Sequence, residues 1–280
     1  MGLLFVPALA RALVVLEDIR VPVKVADIYG KAVEQEISVG LFHESKSPTP
    51  RPLLVLNHGR SATLAGNSKV SVKDYAAAAR WLAGFGFIVA VPVRVGYGIT
   101  GGPDVEYSGS CGTRNFPPVY QAAADQTLAV LAELRKREDA AKDRAVVMGQ
   151  SFGGATAITL ASMNPQGVQG AVNFAGGGGG RPDTHPHNPC SPGRLKDMFE
   201  GYGKSARMPT LWLYSENDAY WGPKLPVEWF EAFKAAGGKG EFFALPPVPE
   251  NEGHRAFSRA SQHWQPRVRE FLGTLGFRRL

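Results

Sequence analysis

The stretch "VVMGQSFGGA", Val146–Ala155, decides the reading of this chain. It opens on apolar residues, passes a Gly-x-Ser-x-Gly set at Gly149–Gly153, and runs on into small residues. A buried strand that turns at once into a helix accounts for all three parts. The turn is so tight that the positions two residues to either side of Ser151 must be nearly free of side chain, as Gly149 and Gly153 are. It would lift the Ser151 hydroxyl clear of the sheet, at a helix N-terminus that favours developing negative charge. Ser151 is therefore the candidate nucleophile.

Outward from this turn, apolar strands alternate with helical patterns. "EQEISVGLFH" (Glu34–His43), "RPLLVLNHG" (Arg51–Gly59) and "FIVAVPVRVG" (Phe87–Gly96) read as strands before the turn. "VQGAVNFAG" (Val168–Gly176), "TLWLYSEND" (Thr210–Asp218) and "GEFFALP" (Gly240–Pro246) follow it. Helical stretches run over Val72–Gly86, Val119–Glu138, Ser151–Asn164, Lys224–Gly238 and Ser258–Gly276. Strands buried on both faces and separated by helices predict an α/β fold, a doubly wound and mainly parallel sheet covered on both sides. Its functional loops then gather at the C-terminal ends of the strands.

A serine hydroxyl needs a base to take its proton. On such a sheet the order is serine, acid, histidine. Asp218 ends the strand Thr210–Asp218, and His254 lies in "PENEGHRAF" between the last strand and the last helix. Both are the candidate partners of Ser151, with Glu216 the rival acid. His58 is better explained as a hydrogen-bonded loop anchor, and His263 as structural. An oxyanion hole would take the Phe152 backbone N–H and a second donor from the loop after "LLVLNHG", for which Arg60 N–H is the candidate.

These residues together resemble the α/β-hydrolase superfamily, and within it the dienelactone-hydrolase-related bacterial serine esterases. The carriers are "LNHGRS", "GQSFGG", "YSEND" and "EGHRAF", in order from Arg51 to the C-terminus. The resemblance implies an α/β-hydrolase domain and a hydrolase that needs no cofactor. The dienelactone hydrolases that name the group use a cysteine nucleophile; the serine here points away from a lactone and toward an ester cleaved through an acyl-enzyme. A peptidase or amidase with the same Ser-Asp-His set is the alternative, and a non-catalytic binding protein a further one.

The expected partner is a small-molecule ester. Arg94, Tyr97, Gly177, Tyr220 and Trp221 are the candidate substrate contacts; for Arg94 a structural salt bridge is the stronger alternative. The glycines of "AGGGGGRPDTHPHNPC" (Ala175–Cys190) would form a cleft wall beside Ser151. That segment also holds Asp183, His185 and His187, but its prolines and the lack of a second ligand cluster argue against a metal. "GYGITG" (Gly96–Gly101) is followed by loop sequence rather than a helix, so it is no dinucleotide site. The net charge of +6 is scattered, with no basic stripe to meet a nucleic acid.

"MGLLFVPALARA" (Met1–Ala12) is too short to span a bilayer and resembles an export signal or its remnant. We therefore expect an N-terminal segment over residues 1–20 and one hydrolase domain over 21–280. Cys111 and Cys190 are the only cysteines and both lie in loop sequence, which fits one disulfide in an exported protein. The expected location is periplasmic or secreted, with the cytoplasm as alternative. No integral membrane segment is expected, and oligomeric state is not legible.

Overall fold

The computed structural model describes residues 13–47 and 49–278. Its frame is one eight-stranded sheet in the order β1-β2-β4-β3-β5-β6-β7-β8. The strands are β1 (Val14–Ala26), β2 (Ala32–Glu44), β3 (Arg51–Asn57), β4 (Ile88–Val93), β5 (Ala140–Gln150), β6 (Val168–Phe174), β7 (Thr210–Ser215) and β8 (Gly240–Leu245). β1 and β2 form a long antiparallel hairpin, and β2 pairs antiparallel with β4. All other pairings, from β4 through β3 to β8, are parallel. This is the α/β-hydrolase fold.

Among the described residues eight α-helices pack around the sheet: α1 (Leu64–Asn67), α2 (Ala76–Ala83), α3 (Phe116–Leu134), α4 (Phe152–Met163), α5 (Pro192–Ser205), α6 (Leu225–Ala235), α7 (Ala256–Arg259) and α8 (Ser261–Thr274). Successive residues of one strand serve opposite layers. Leu53, Val55, Val147 and Trp212 face a core shared with α3 through α6. Leu54, Leu56, Val146 and Leu213 face a second core closed by α2, α7 and α8. That two-sided burial is why the strands read as unbroken apolar runs.

Three departures from the sequence reading have physical causes. α3 begins at Phe116, because Pro117 and Pro118 occupy a first turn where no N–H is needed. The last predicted helix is broken at Ala260, whose backbone leaves helical geometry (φ −135°, ψ 46°) between α7 and α8. α5 went unread: its glycines and charges dilute a stripe at Leu195, Met198, Phe199 and Tyr202 that carries helical spacing. β1 starts at Val14, so the sheet includes residues assigned above to an N-terminal segment. The apolar run Leu3–Ala10 lies outside the described residues. No helix among the described residues is long and apolar enough to cross a membrane.

Candidate functional site

β5 ends at Gln150 and α4 starts at Phe152, so Ser151 makes the whole turn alone. Its backbone sits at φ 56° and ψ −121°, a strained conformation for a residue with a side chain. Close packing explains the glycines around it. A Cβ on Gly149 would lie 2.1 Å from the Gly153 carbonyl oxygen, and one on Gly153 would lie 2.2 Å from that of Asn57. The Ser151 N–H donates to the Phe174 carbonyl (2.8 Å) and ties the turn to β6.

β7 delivers the acid. Asp218 is fully buried, and its Oδ1 accepts the Tyr220 N–H at 2.8 Å. Its Oδ2 lies 2.9 Å from His254 Nδ1, and His254 Nε2 lies 2.9 Å from Ser151 Oγ. A carboxylate can only accept, so Nδ1 carries the proton and Nε2 presents a lone pair to the hydroxyl. The imidazole is held on several sides. Tyr220 stacks on it with ring centroids 3.8 Å apart, the Trp221 edge meets it at 5.6 Å, and Gln150 Nε2 donates to the His254 carbonyl (3.2 Å). Glu216, the rival acid, is exposed.

The loop after β3 lies against the same turn. A Cβ on Gly59 would stand 3.2 Å from Ser151 Cβ, so glycine lets this backbone approach. His58 anchors it: Nδ1 donates to the Gly59 carbonyl (2.7 Å) and Nε2 accepts the Arg94 N–H (3.1 Å). Burial, then the Arg94 charge, holds the imidazole well below its usual pKa, so it stays neutral. Gly59 N–H donates to Tyr75 Oη (2.8 Å). Among the described residues, the N–H groups of Arg60 and Phe152 have no hydrogen-bond partner.

The family model described as serine aminopeptidase, S33, matches residues 48–191, just over half of the chain and including Ser151. The chain belongs to this family. No curated protein sequence matches it. Solved structures are similar at the level of fold. One is a candidate dienelactone hydrolase from Klebsiella pneumoniae (16% identity, TM-score 0.57, covering 93% of this chain and 99% of that one). Others are an esterase of Pyrococcus furiosus (14%, 0.59, 91% and 90%) and an acylaminoacyl peptidase of Pyrococcus horikoshii (12%, 0.60, 94% and 41%).

In this S33-family hydrolase two cavities meet at Ser151. One, of about 480 Å³, is lined by His254, Tyr75, Gln150 and Asp74. The other, of about 260 Å³, is lined by Phe152, Gly177–Gly180, Arg114 and Trp221. Arg60 and Tyr220 border both. The glycine wall lies where backbone must pass aromatic rings: a Cβ on Gly180 would stand 2.4 Å from the Tyr220 ring. A Cys111–Cys190 disulfide joins the loop before α3 to the end of this wall.

Arg94 and Tyr97 are not brought to the cleft. Both are buried, at 0% and 1% exposure. Arg94 forms a two-pronged pair with Glu106 (Nε–Oε1 2.5 Å, Nη2–Oε2 3.1 Å) and donates to the His58 carbonyl (3.0 Å). Tyr97 Oη donates to Glu106 and accepts from Arg60 Nη1 (3.1 Å). Arg60 is also clamped by Asp104 (2.6 and 2.5 Å). Together these groups carry the His58–Arg60 backbone from beneath. Gln150, Tyr75, Arg114 and Arg181 were missed as cleft residues; the signals available were the position of Gln150 inside the Gly-x-Ser-x-Gly set and that of Arg181 directly after the glycine run read as a cleft wall. His185 and His187 are exposed. Among the described residues no group of three or more His, Cys, Asp or Glu could hold a metal ion.

Proposed function

We propose that the protein is a serine esterase that cleaves carboxylic esters through an acyl-enzyme on Ser151. The observation that carries this reading is the unbroken hydrogen-bond chain from Asp218 through His254 to a strained, cleft-facing Ser151. Ser151 Oγ bonds to the substrate carbonyl carbon as its proton passes to His254 Nε2. Asp218 holds the ring's tautomer and stabilises the imidazolium. The carbonyl oxygen becomes anionic and turns to the N–H groups of Phe152 and Arg60; one such donor commonly contributes ~10²–10³ to kcat. The carbon–oxygen bond to the alcohol then breaks, and the alcohol leaves with the His254 proton. Water gives a proton back to Nε2 as its oxygen adds to the acyl carbon. Ser151 leaves with that proton and the acid is released.

The leaving alcohol must come within reach of His254, so it belongs in the larger cavity that His254 lines, and the acyl group in the smaller one. A peptidase or amidase reading draws support from the family and from the acylaminoacyl peptidase likeness. An aminopeptidase substrate would bring a cationic terminal amine to the acyl side, yet no Asp or Glu lines that cavity. This favours the ester. The disulfide supports export to an oxidising compartment, the periplasm or beyond, and the continuous sheet supports one domain. The test is a fluorophosphonate probe with parallel p-nitrophenyl ester and peptide-amide panels. Labelling and ester turnover should both vanish in Ser151→Ala; labelling that survives, or amides cleaved faster than esters, sinks the proposal.

A further inference from the structure

The acyl-side cavity carries positive charge that is only partly neutralised among the described residues. Three arginines line it: Arg60, Arg114 and Arg181. Arg60 is matched by Asp104. The other two are not. No Asp or Glu lines the cavity, and the Nε groups of Arg114 and Arg181 are buried without a hydrogen-bond partner among the described residues. Arg114 Nη1 reaches only the neutral Ser108 hydroxyl (2.8 Å). Burial, then repulsion from Arg60 and Arg181, lowers the affinity of Arg114 for its own proton. A buried guanidinium donor that finds no acceptor, as at these Nε groups, is costly unless something else supplies one.

The surroundings are built to hold these charges in place. Arg114 directly follows the short helical turn Cys111–Thr113, and its carbonyl accepts from Arg194 Nη1 (3.2 Å). The disulfide ties that turn to Cys190, whose N–H donates to the Gly179 carbonyl (2.8 Å) two residues before Arg181. Ser191 Oγ donates to the Cys111 carbonyl (2.7 Å). The two arginine-bearing loops are thus cross-linked to each other, at the cavity that His254 does not line.

We propose that Arg114 and Arg181 form an anion subsite for the acyl half of the substrate, which therefore carries a carboxylate. The substrate class is a half-ester of a short dicarboxylic acid: one carboxyl esterified and attacked by Ser151, the other free and received by the guanidinium donors. The small cavity volume suits a short acyl chain. This rests on the serine-esterase reading.

The experiment compares p-nitrophenyl hemiglutarate with p-nitrophenyl pentanoate, equal in acyl length and different in charge. The wild-type protein should favour hemiglutarate in kcat/KM by about tenfold or more, as a charge-assisted hydrogen bond implies. The ratio should fall toward one in Arg181→Gln and Arg114→Gln, and should shrink with added salt. Arg181→Gln removes a side chain with no hydrogen-bond or ion-pair partner among the described residues, so it tests the idea where Arg114→Gln disturbs the Ser108 contact. A wild-type ratio at or below one, or a ratio that survives both substitutions, overturns the anion subsite. Pentanoate turnover that depends on Ser151 reports separately on the esterase reading: turnover without preference refutes the subsite alone, and no turnover of either ester refutes both.

Discussion

Glu106→Ala should damage this protein twice, in stability and in rate. Glu106 and Arg94 are both fully buried. The substitution strips Arg94 of two charged contacts, at 2.5 and 3.1 Å, and leaves the Tyr97 hydroxyl without its acceptor. Breaking one side of a buried ion pair costs about 3–5 kcal/mol, because the remaining charge is stranded. For a chain of this size each kcal/mol moves Tm by roughly 2–4 °C, so a fall of about 10 °C is expected. The kinetic damage comes through the backbone. Arg94 Nη1 holds the His58 carbonyl, and Tyr97 holds Arg60. If the Arg60 N–H drifts from the developing oxyanion, kcat should drop by at least about tenfold while KM changes little. The assays are thermal unfolding followed by circular dichroism and steady-state ester hydrolysis. The double variant Arg94→Met/Glu106→Leu separates the effects: it removes both charges and should regain most of the lost Tm, yet not the rate, since the His58 carbonyl stays unheld. A single variant within about 2 °C of wild type would refute the buried pair; a full kcat would refute its support of the loop.

Two further outcomes are expected. Opening the Cys111–Cys190 bridge, by reductant or by a double serine variant, releases a 79-residue separation and should cost about 4 kcal/mol on the chain-entropy account, read as a lower urea midpoint. It should also raise KM for acyl groups, since both arginine-bearing loops lose their tie. His58 is neutral when folded, with its pKa held below 6.5, so the unfolded chain takes up a proton first as pH falls. Stability should be full above pH 6.5 and decline below it by up to about 1.4 kcal/mol per pH unit, and His58→Gln should flatten that slope in urea titrations between pH 5 and 7.5.

What the sequence determined by itself is local or follows the order of elements. The apolar run of β5, the two glycines and the small residues of α4 mark the Ser151 turn within ten residues; a side chain at Gly149 is excluded by its near neighbour Gly153, whereas one at Gly153 is excluded by Asn57 of β3, which only folding brings near. The alternation of strands and helices carried the parallel sheet, since strands buried on both faces cannot alternate polar and apolar residues. Where local signals were mixed, reading failed: α5 hides a helical stripe among glycines, and the prolines before Val119 looked like a loop although they start α3. What only the tertiary structure decided is which way side chains face and whom they meet. Arg94 at the end of a strand and Tyr97 in the loop after it suggested a cleft, yet both turn inward to Glu106. Arg114 and Arg181, far apart in the chain, line one cavity through loops cross-linked by Cys111 and Cys190. Burial of a charge, and whether it finds a partner, depends on residues that only folding brings near, and no pattern along the chain encodes that meeting.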